Sequence, residues 1–194
     1  MGKRVIVIAE GEMERRSLPW LLAHLTKDNI TVADVRIANR RLDVEMARKL
    51  VVSAWFAPPD YIAPDKFVIL VDVDGNEPDE VLRPFRELAG RVGPKVTAAL
   101  QFAYAQWHLE AWYFADVSGL RAYLRRDPGS VDTSHPDHIT NPKHHLQNLL
   151  GNRAYTPVVS EEIARQLNAQ TIAQRSPSFR GFLEAVKNGK FTQD

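Results

Sequence analysis

The 194-residue chain contains no cysteine. That absence excludes disulfide scaffolds, zinc–thiolate sites and thiol nucleophiles, and it suits a reducing, cytoplasmic setting. Long apolar runs are missing too. Met1-Gly2-Lys3-Arg4 leads only into the short run Val5–Ala9, far below the roughly 20 residues of a membrane span or a signal-peptide core and its flanks. The chain is therefore expected to be soluble, untargeted and without a membrane partner. An excess of charge of either sign is also lacking. Lys plus Arg number 25 against 24 Asp plus Glu, so net charge makes no global case for nucleic acid. Local basic groups exist at Arg15-Arg16, Arg40-Arg41, Arg125-Arg126 and along 143–153; each pair taken alone reads as a solvated helix face.

What is present is an alternation of strand and helix patterns. The β-branched run Val5-Ile6-Val7-Ile8-Ala9 indicates a strand covered on both faces, as in a parallel sheet. Leu18, Leu21, Leu22 and Leu25 recur at helical spacing, with Ser17 as the expected N-cap and Pro19 in the first turn. The pattern then gives a strand over 30–37 near the sheet edge, a helix over 44–55, a break at Pro58, Pro59 and Pro64, and a strand over 66–71. A helix over 79–92 ends at Gly93-Pro94, and a fourth strand is expected over 96–102. Such a βαβαβαβ order implies a mainly parallel four-stranded sheet with functional groups at the carboxyl ends of its strands. Further helices are expected over 107–113, 117–126, 143–150 and 161–168, and a last one capped by Ser176 with Pro177 at its first position. Phe179, Phe182, Leu183 and Val186 give that last helix an apolar docking stripe. The domain reading is an α/β core over 1–126, a polar loop over 127–141 and a packed helical extension over 142–194.

The strand over 66–71 runs into Asp72-Val73-Asp74-Gly75. Residues two apart on an extended strand project to one side, so Asp72 and Asp74 can reach a single ion, and Gly75 lets the chain turn. Alone, this exit is equally an ordinary turn, because Asp and Gly are common turn residues. Context adds Glu10 after strand one and Glu110 just past strand four, and a helical turn after Gly11 would point Glu14 back to the same place. Clustered carboxylates raise one another's proton affinity unless a cation neutralises them. Oxygen donors without thiolates favour Mg²⁺ or Mn²⁺. One or two such ions suit in-line displacement at a phosphodiester.

Glu10-Gly11-Glu12-Met13-Glu14 resembles the glutamate motif, and Asp72-Val73-Asp74-Gly75 the DxD motif, of Toprim domains. With Ala9, Leu18-Pro19, Leu109-Glu110-Ala111-Trp112-Tyr113, Ala115-Asp116 and Ser176-Pro177-Ser178-Phe179-Arg180, nearly the whole chain resembles a bacterial domain-of-unknown-function family related to Toprim. Members of that family are often encoded beside AAA-type ATPases, and they are similar to the Toprim part of overcoming-lysogenization-defect nucleases. The resemblance implies a Toprim-like three-layer fold and a metal-dependent phosphodiester hydrolase acting on DNA or RNA in a defence complex with an ATPase. It assigns Glu10, Asp72 and Asp74 as catalytic, with Glu10, Glu14, Asp72, Asp74 and Glu110 as ligands of Mg²⁺ or Mn²⁺. Substrate contacts are expected from Arg15, His108, Lys143 and Arg180. His108-Leu109-Glu110 stands where the related nucleases carry a hydroxyl-x-glutamate element, so the histidine departs from the pattern.

Two other readings use the same residues. A haloacid-dehalogenase-like phosphatase would make Asp72 a covalent nucleophile, although Asn76 follows where that motif carries threonine, and Glu10 has no task. A non-catalytic adaptor would keep the shell and bind an ATPase through the last helices. The histidines His135, His138, His144 and His145 make a weak zinc pattern without cysteine companions, and in their charged form they could bind phosphate.

Overall fold

The computed structural model describes residues 2–56, 62–97, 99–129 and 131–187. Pro58 and Pro59 of the expected break, and the end of the chain beyond 187, lie outside the described residues. The strands are β1 (Lys3–Ala9), β2 (Ile30–Ile37), β3 (Lys66–Asp72) and β4 (Leu100–Ala105). Among the described residues they form one sheet in the order β2-β1-β3-β4, with every neighbouring pair parallel.

The two central strands, β1 and β3, are apolar at almost every position because both of their faces are covered. Their side chains alternate between two cores. Val5, Val7, Ala9, Val68 and Leu70 face one core, and Ile6, Ile8, Phe67, Ile69 and Val71 the other. Each such burial is worth roughly 1.5–3 kcal/mol of apolar transfer. Edge strand β2 instead mixes buried Ile30 and Val35 with exposed neighbours, as expected for the sheet margin.

The helices complete a three-layer sandwich. On the second face lie α2 (Val44–Trp55) and α3 (Pro78–Glu87), which bury Ala47, Val51, Leu82 and Phe85 in the core with Ile6 and Ile69. A short α4 (Pro94–Thr97) leads into β4. On the first face lie α1 (Glu12–Leu21), α5 (Glu110–Ala115), α6 (Val117–Leu124), α7 (Pro142–Leu150), α8 (Pro157–Ala164), α9 (Ala169–Arg175) and α10 (Pro177–Lys187). Helix α8 packs against α1, and α10 against β4. The stripe Phe179, Phe182, Leu183 and Val186 is buried, with Phe182 stacked on Trp112 at 5.5 Å between ring centroids. Ser176 caps α10 by accepting from Phe179 N–H at 3.1 Å.

Several boundaries differ from the sequence expectation, each for a local reason. Helix α1 begins at Glu12, not after Ser17, because Glu14 Oε2 reaches back to accept from Gly11 N–H at 3.0 Å. Ser17 is instead inside the helix and fully buried, and Pro19 falls in its last turn. Strand β4 starts at Leu100 rather than at 96. Pro94 opens a helical turn there, and the Thr97 hydroxyl donates to the carbonyls of Ala89 and Gly93, which takes Val96 and Thr97 out of the ladder. Helix α5 starts at Glu110, three residues later than the pattern suggested, and α8 starts at Pro157, where Thr156 Oγ1 accepts from Val159 N–H at 3.3 Å. Within the polar loop, Pro136–His138 forms a single 3₁₀ turn. Buried Asp137 fixes that turn to α10 by accepting from Ser176 Oγ at 2.6 Å, Ser178 N–H at 2.8 Å and Ser178 Oγ at 3.0 Å.

Candidate functional site

The parallel register decides which residues meet. Ile8 pairs with Ile69 and Asp72 with Ala105, so the exits of β1, β3 and β4 open at one end of the sheet. Glu10 follows β1, Asp72 ends β3, and β4 leads through His108 to Glu110, the first residue of α5. Glu14 enters from the first turn of α1. Together with Lys143 of α7 these side chains line one cleft of about 370 Å³, which Asn39 and Arg40 beyond β2 also border.

The carboxyl groups in this cleft are short of solvent and crowded. Burial, then the Asp72 charge, pushes Glu10 up to about 7. Burial and the same Asp72 charge push Glu14 up to about 8. Burial also raises Asp72, opposed by its hydrogen bond from His108. Glu110, only 2% exposed, is raised by burial against a hydrogen bond from Tyr155. Lys143 offsets part of the charge on Asp72 and Glu110.

Each carboxylate rests on a different neighbour. Glu10 Oε1 accepts from Leu42 N–H at 3.2 Å, and Glu14 accepts from Gly11 N–H. Asp72 Oδ2 lies 3.0 Å from His108 Nδ1, while Asp74 Oδ2 lies 3.4 Å from the Arg41 guanidinium. Among the described residues, no three His, Cys, Asp or Glu side chains stand close enough together to hold a metal ion. The donor chemistry nevertheless fits a hard divalent cation, since these are oxygen ligands whose mutual repulsion such an ion would relieve.

The expected shared projection of Asp72 and Asp74 is realised differently. Strand β3 ends at Asp72, and Asp74 takes a left-handed backbone at φ 51°. Asp74 therefore sits at the rim, with Oδ1 3.9 Å from His108 Nε2, so one imidazole bonded to Asp72 also faces Asp74. Gly75 follows at φ +77°, and a Cβ there would come within 2.5 Å of the Trp107 ring. Only glycine fits that turn.

Of the expected substrate contacts, His108 and Lys143 line the cleft. Arg15 does not; it pairs with Glu12 at 3.3 Å and lines a neighbouring groove. Arg180 donates to the Ala173 carbonyl on α9. Glu110 is hydrogen-bonded by Tyr155 and feels the charge of Lys143. His135, His138 and His145 border a separate cavity of about 320 Å³. The sequence reading missed Arg40, Arg41 and Tyr155 as neighbours of the site. The arginines follow the carboxyl end of β2, so the strand-end rule that selected Glu10 could have selected them; Tyr155 carries no such signal.

The fold is a three-layer α/β sandwich around a four-stranded parallel sheet, with carboxylates at the strand exits. The chain belongs to the family described as "Domain of unknown function (DUF4276)", whose profile matches residues 9–187. Solved structures similar to it include two C-terminal regions of OLD proteins. The C-terminal region of the Burkholderia pseudomallei OLD protein superimposes with a TM-score of 0.55 at 17% identity, covering 96% of this chain and 98% of that one. The C-terminal region of the Xanthomonas campestris pv. campestris OLD protein gives 0.52 at 14% identity, covering 95% of each. At these identities the likeness shows the fold, and it bears out the resemblance to a Toprim-related family. No curated protein matches the chain. Among the described residues, no helix is long and apolar enough to cross a membrane.

Proposed function

We propose that the protein is a metal-dependent phosphodiester hydrolase of the Toprim-like nuclease type, acting on DNA or RNA. The observation that carries this reading is the convergence of Glu10, Glu14, Asp72 and Glu110 on one cleft with their carboxyl groups all shifted upwards. Such an arrangement is costly unless positive charge completes it. Glu10, Asp72 and Asp74 would hold Mg²⁺ or Mn²⁺, with Glu14 and Glu110 on the inner side. When bound, the ion supplies Lewis-acid charge to the phosphoryl oxygens.

The chain's own groups do the rest. Glu10, less buried than Glu14 and Glu110, is placed to take or return a proton at the mouth. Lys143 brings an ammonium to the anionic phosphate, and His108 orients Asp72 through Nδ1. In keeping with the family resemblance, an AAA-type ATPase is the proposed partner, in a defence system of the bacterial cytoplasm, and it would deliver the substrate. A covalent role for Asp72, as in a phosphatase, leaves Glu10, Glu14 and Glu110 without a task in the same cleft.

One observation favours a second reading, a non-catalytic adaptor for an ATPase. The carboxylates are satisfied by protein donors, and no three ligating side chains converge among the described residues. Calorimetric titration with Mn²⁺ and nicking of plasmid DNA or cleavage of single strands separate the two. The hydrolase binds Mn²⁺, loses that binding in the double variant Asp72→Ala/Asp74→Ala, and loses cleavage in Glu10→Gln. Cleavage persisting at the same rate in Glu10→Gln would sink the assignment, and no binding at millimolar metal would favour the adaptor.

A further inference from the structure

Next to the carboxylate cleft runs a second, larger depression of about 770 Å³ between α1 and α8. Glu12 and Pro157 border both spaces, so the two adjoin at the first turns of these helices. Trp20 is 45% exposed in this groove, although its ring is held by two neighbours on a backbone fixed in α1. The Arg165 guanidinium covers it at 4.1 Å from the centroid, Nε1 lies 3.3 Å from Glu161 Oε1, and α1 fixes its backbone.

Charge in the groove is layered. Glu161 is 16% exposed and lies beneath Arg16 and Arg165, which are each 49% exposed and which it holds as a pair of anchored guanidiniums. Arg15, 57% exposed, is steadied by Glu12. The surface offered to solvent is thus an oriented indole flanked by guanidiniums whose direction is set in advance. Bases stack on exposed aromatic rings whatever their sequence, and arginines follow the phosphates between them. A duplex hides its base faces and could use only the arginines.

We infer that this groove binds a single-stranded stretch of polynucleotide, with Trp20 stacking one base and Arg15 and Arg16 holding adjoining phosphates on the way to the carboxylate cleft. The inference deepens the proposed hydrolase reading, which it needs for what happens to the strand in the cleft but not for binding itself.

The test is fluorescence anisotropy of a labelled oligothymidine of roughly 12 nucleotides, within the usual site size, with the whole chain in EDTA. Wild type is expected to bind, and a duplex of the same length to compete poorly. Trp20→Ala should weaken binding roughly 5- to 150-fold, the range of one lost stack, and Trp20→Phe should restore most of it. Arg15→Ala/Arg16→Ala should lower the slope of log affinity against log salt by about 1.4, at about 0.7 per phosphate contact. These side chains are about half exposed, so the variants fold, as a thermal melt verifies. Unchanged affinity in both variants, or equal binding of the duplex, overturns the inference. Self-association that masks Trp20 with no effect of oligonucleotide assigns the groove to protein contact and also overturns it. Cleavage with Mn²⁺ is measured separately: binding without cleavage removes only the hydrolase reading, and cleavage without groove-dependent binding removes only this one.

Discussion

His108 Nδ1 sits 3.0 Å from Asp72 Oδ2, and the opposite ring nitrogen sits 3.9 Å from Asp74 Oδ1. A single imidazole therefore spans the two aspartates of the DxDG exit. It partly fills the role of a cation while it is protonated.

The hydrogen bond to Asp72 raises His108 above its usual 6.5. Its contribution to stability is full below 6.5 and is lost as pH rises through the raised folded value. In metal-free protein the His108 ring is expected to titrate above 6.5 by NMR and to return towards 6.5 in Asp72→Asn. Titration at or below 6.5 in the wild type would show that the pair does not form in solution.

Glu10 and Glu14 have the same sign of linkage by a different route. Their folded values of about 7 and about 8 lie above the unfolded value of 4.5, so the folded chain binds more protons between these limits. Stability is then greatest below pH 4.5 on their account and falls as pH rises to about 8. Thermal melts in EDTA should show Tm declining from pH 5 to pH 8, with a shallower decline in Glu14→Gln. Millimolar Mg²⁺ should recover more of the loss at pH 8 than at pH 5, because metal competes with protons for these groups. A flat profile would mean that the carboxyls are not crowded.

Gly75→Ala is expected to cost about 1–3 kcal/mol through left-handed strain and the clash with Trp107. Because Asp74 immediately precedes it, the variant should also weaken Mn²⁺ binding. Urea unfolding and calorimetry measure the two effects, and a variant as stable as wild type would refute the geometry of the turn.

Behind Glu110 lies a buried hydroxyl network. The Tyr113 hydroxyl is 2.8 Å from Ser17 Oγ and 2.7 Å from Ser160 Oγ, and Tyr155 is 3.0 Å from Ser160 Oγ. Ser160→Ala removes a partner from three groups and is expected to destabilise by about 1–3 kcal/mol. Tyr113→Phe should cost less, because Ser17 and Ser160 remain 2.9 Å apart and still pair. Chemical denaturation would reveal the reverse order if the network were misplaced.

The central strands and the parallel sheet were readable because residues covered on both faces must be apolar along their whole length, as 5–9 and 67–71 are. Glu10 and Asp72 were readable from strand ends alone. Boundaries set by one side chain were not. Thr97 captures carbonyls that periodicity ignores, and Glu14 starts α1 early by bonding to Gly11. The relation between Arg41 and Asp74 depends on tertiary proximity of the β2 and β3 exits. Tyr155 reaches Glu110 from a loop with no pattern at all.

Helix α1 presents three sets of side chains at different angles: Glu14 to the cleft, Ser17 and Leu18 to the interior, and Arg16 and Trp20 to the groove. At about 100° per residue, inserting one residue between Glu14 and Ser17 would put the two ends of the helix out of phase. With the core holding Leu18 and Leu21 in place, Glu14 would swing away from the cleft, and no point substitution could bring it back. The length of this segment is thus under tighter constraint than the identity of most of its residues.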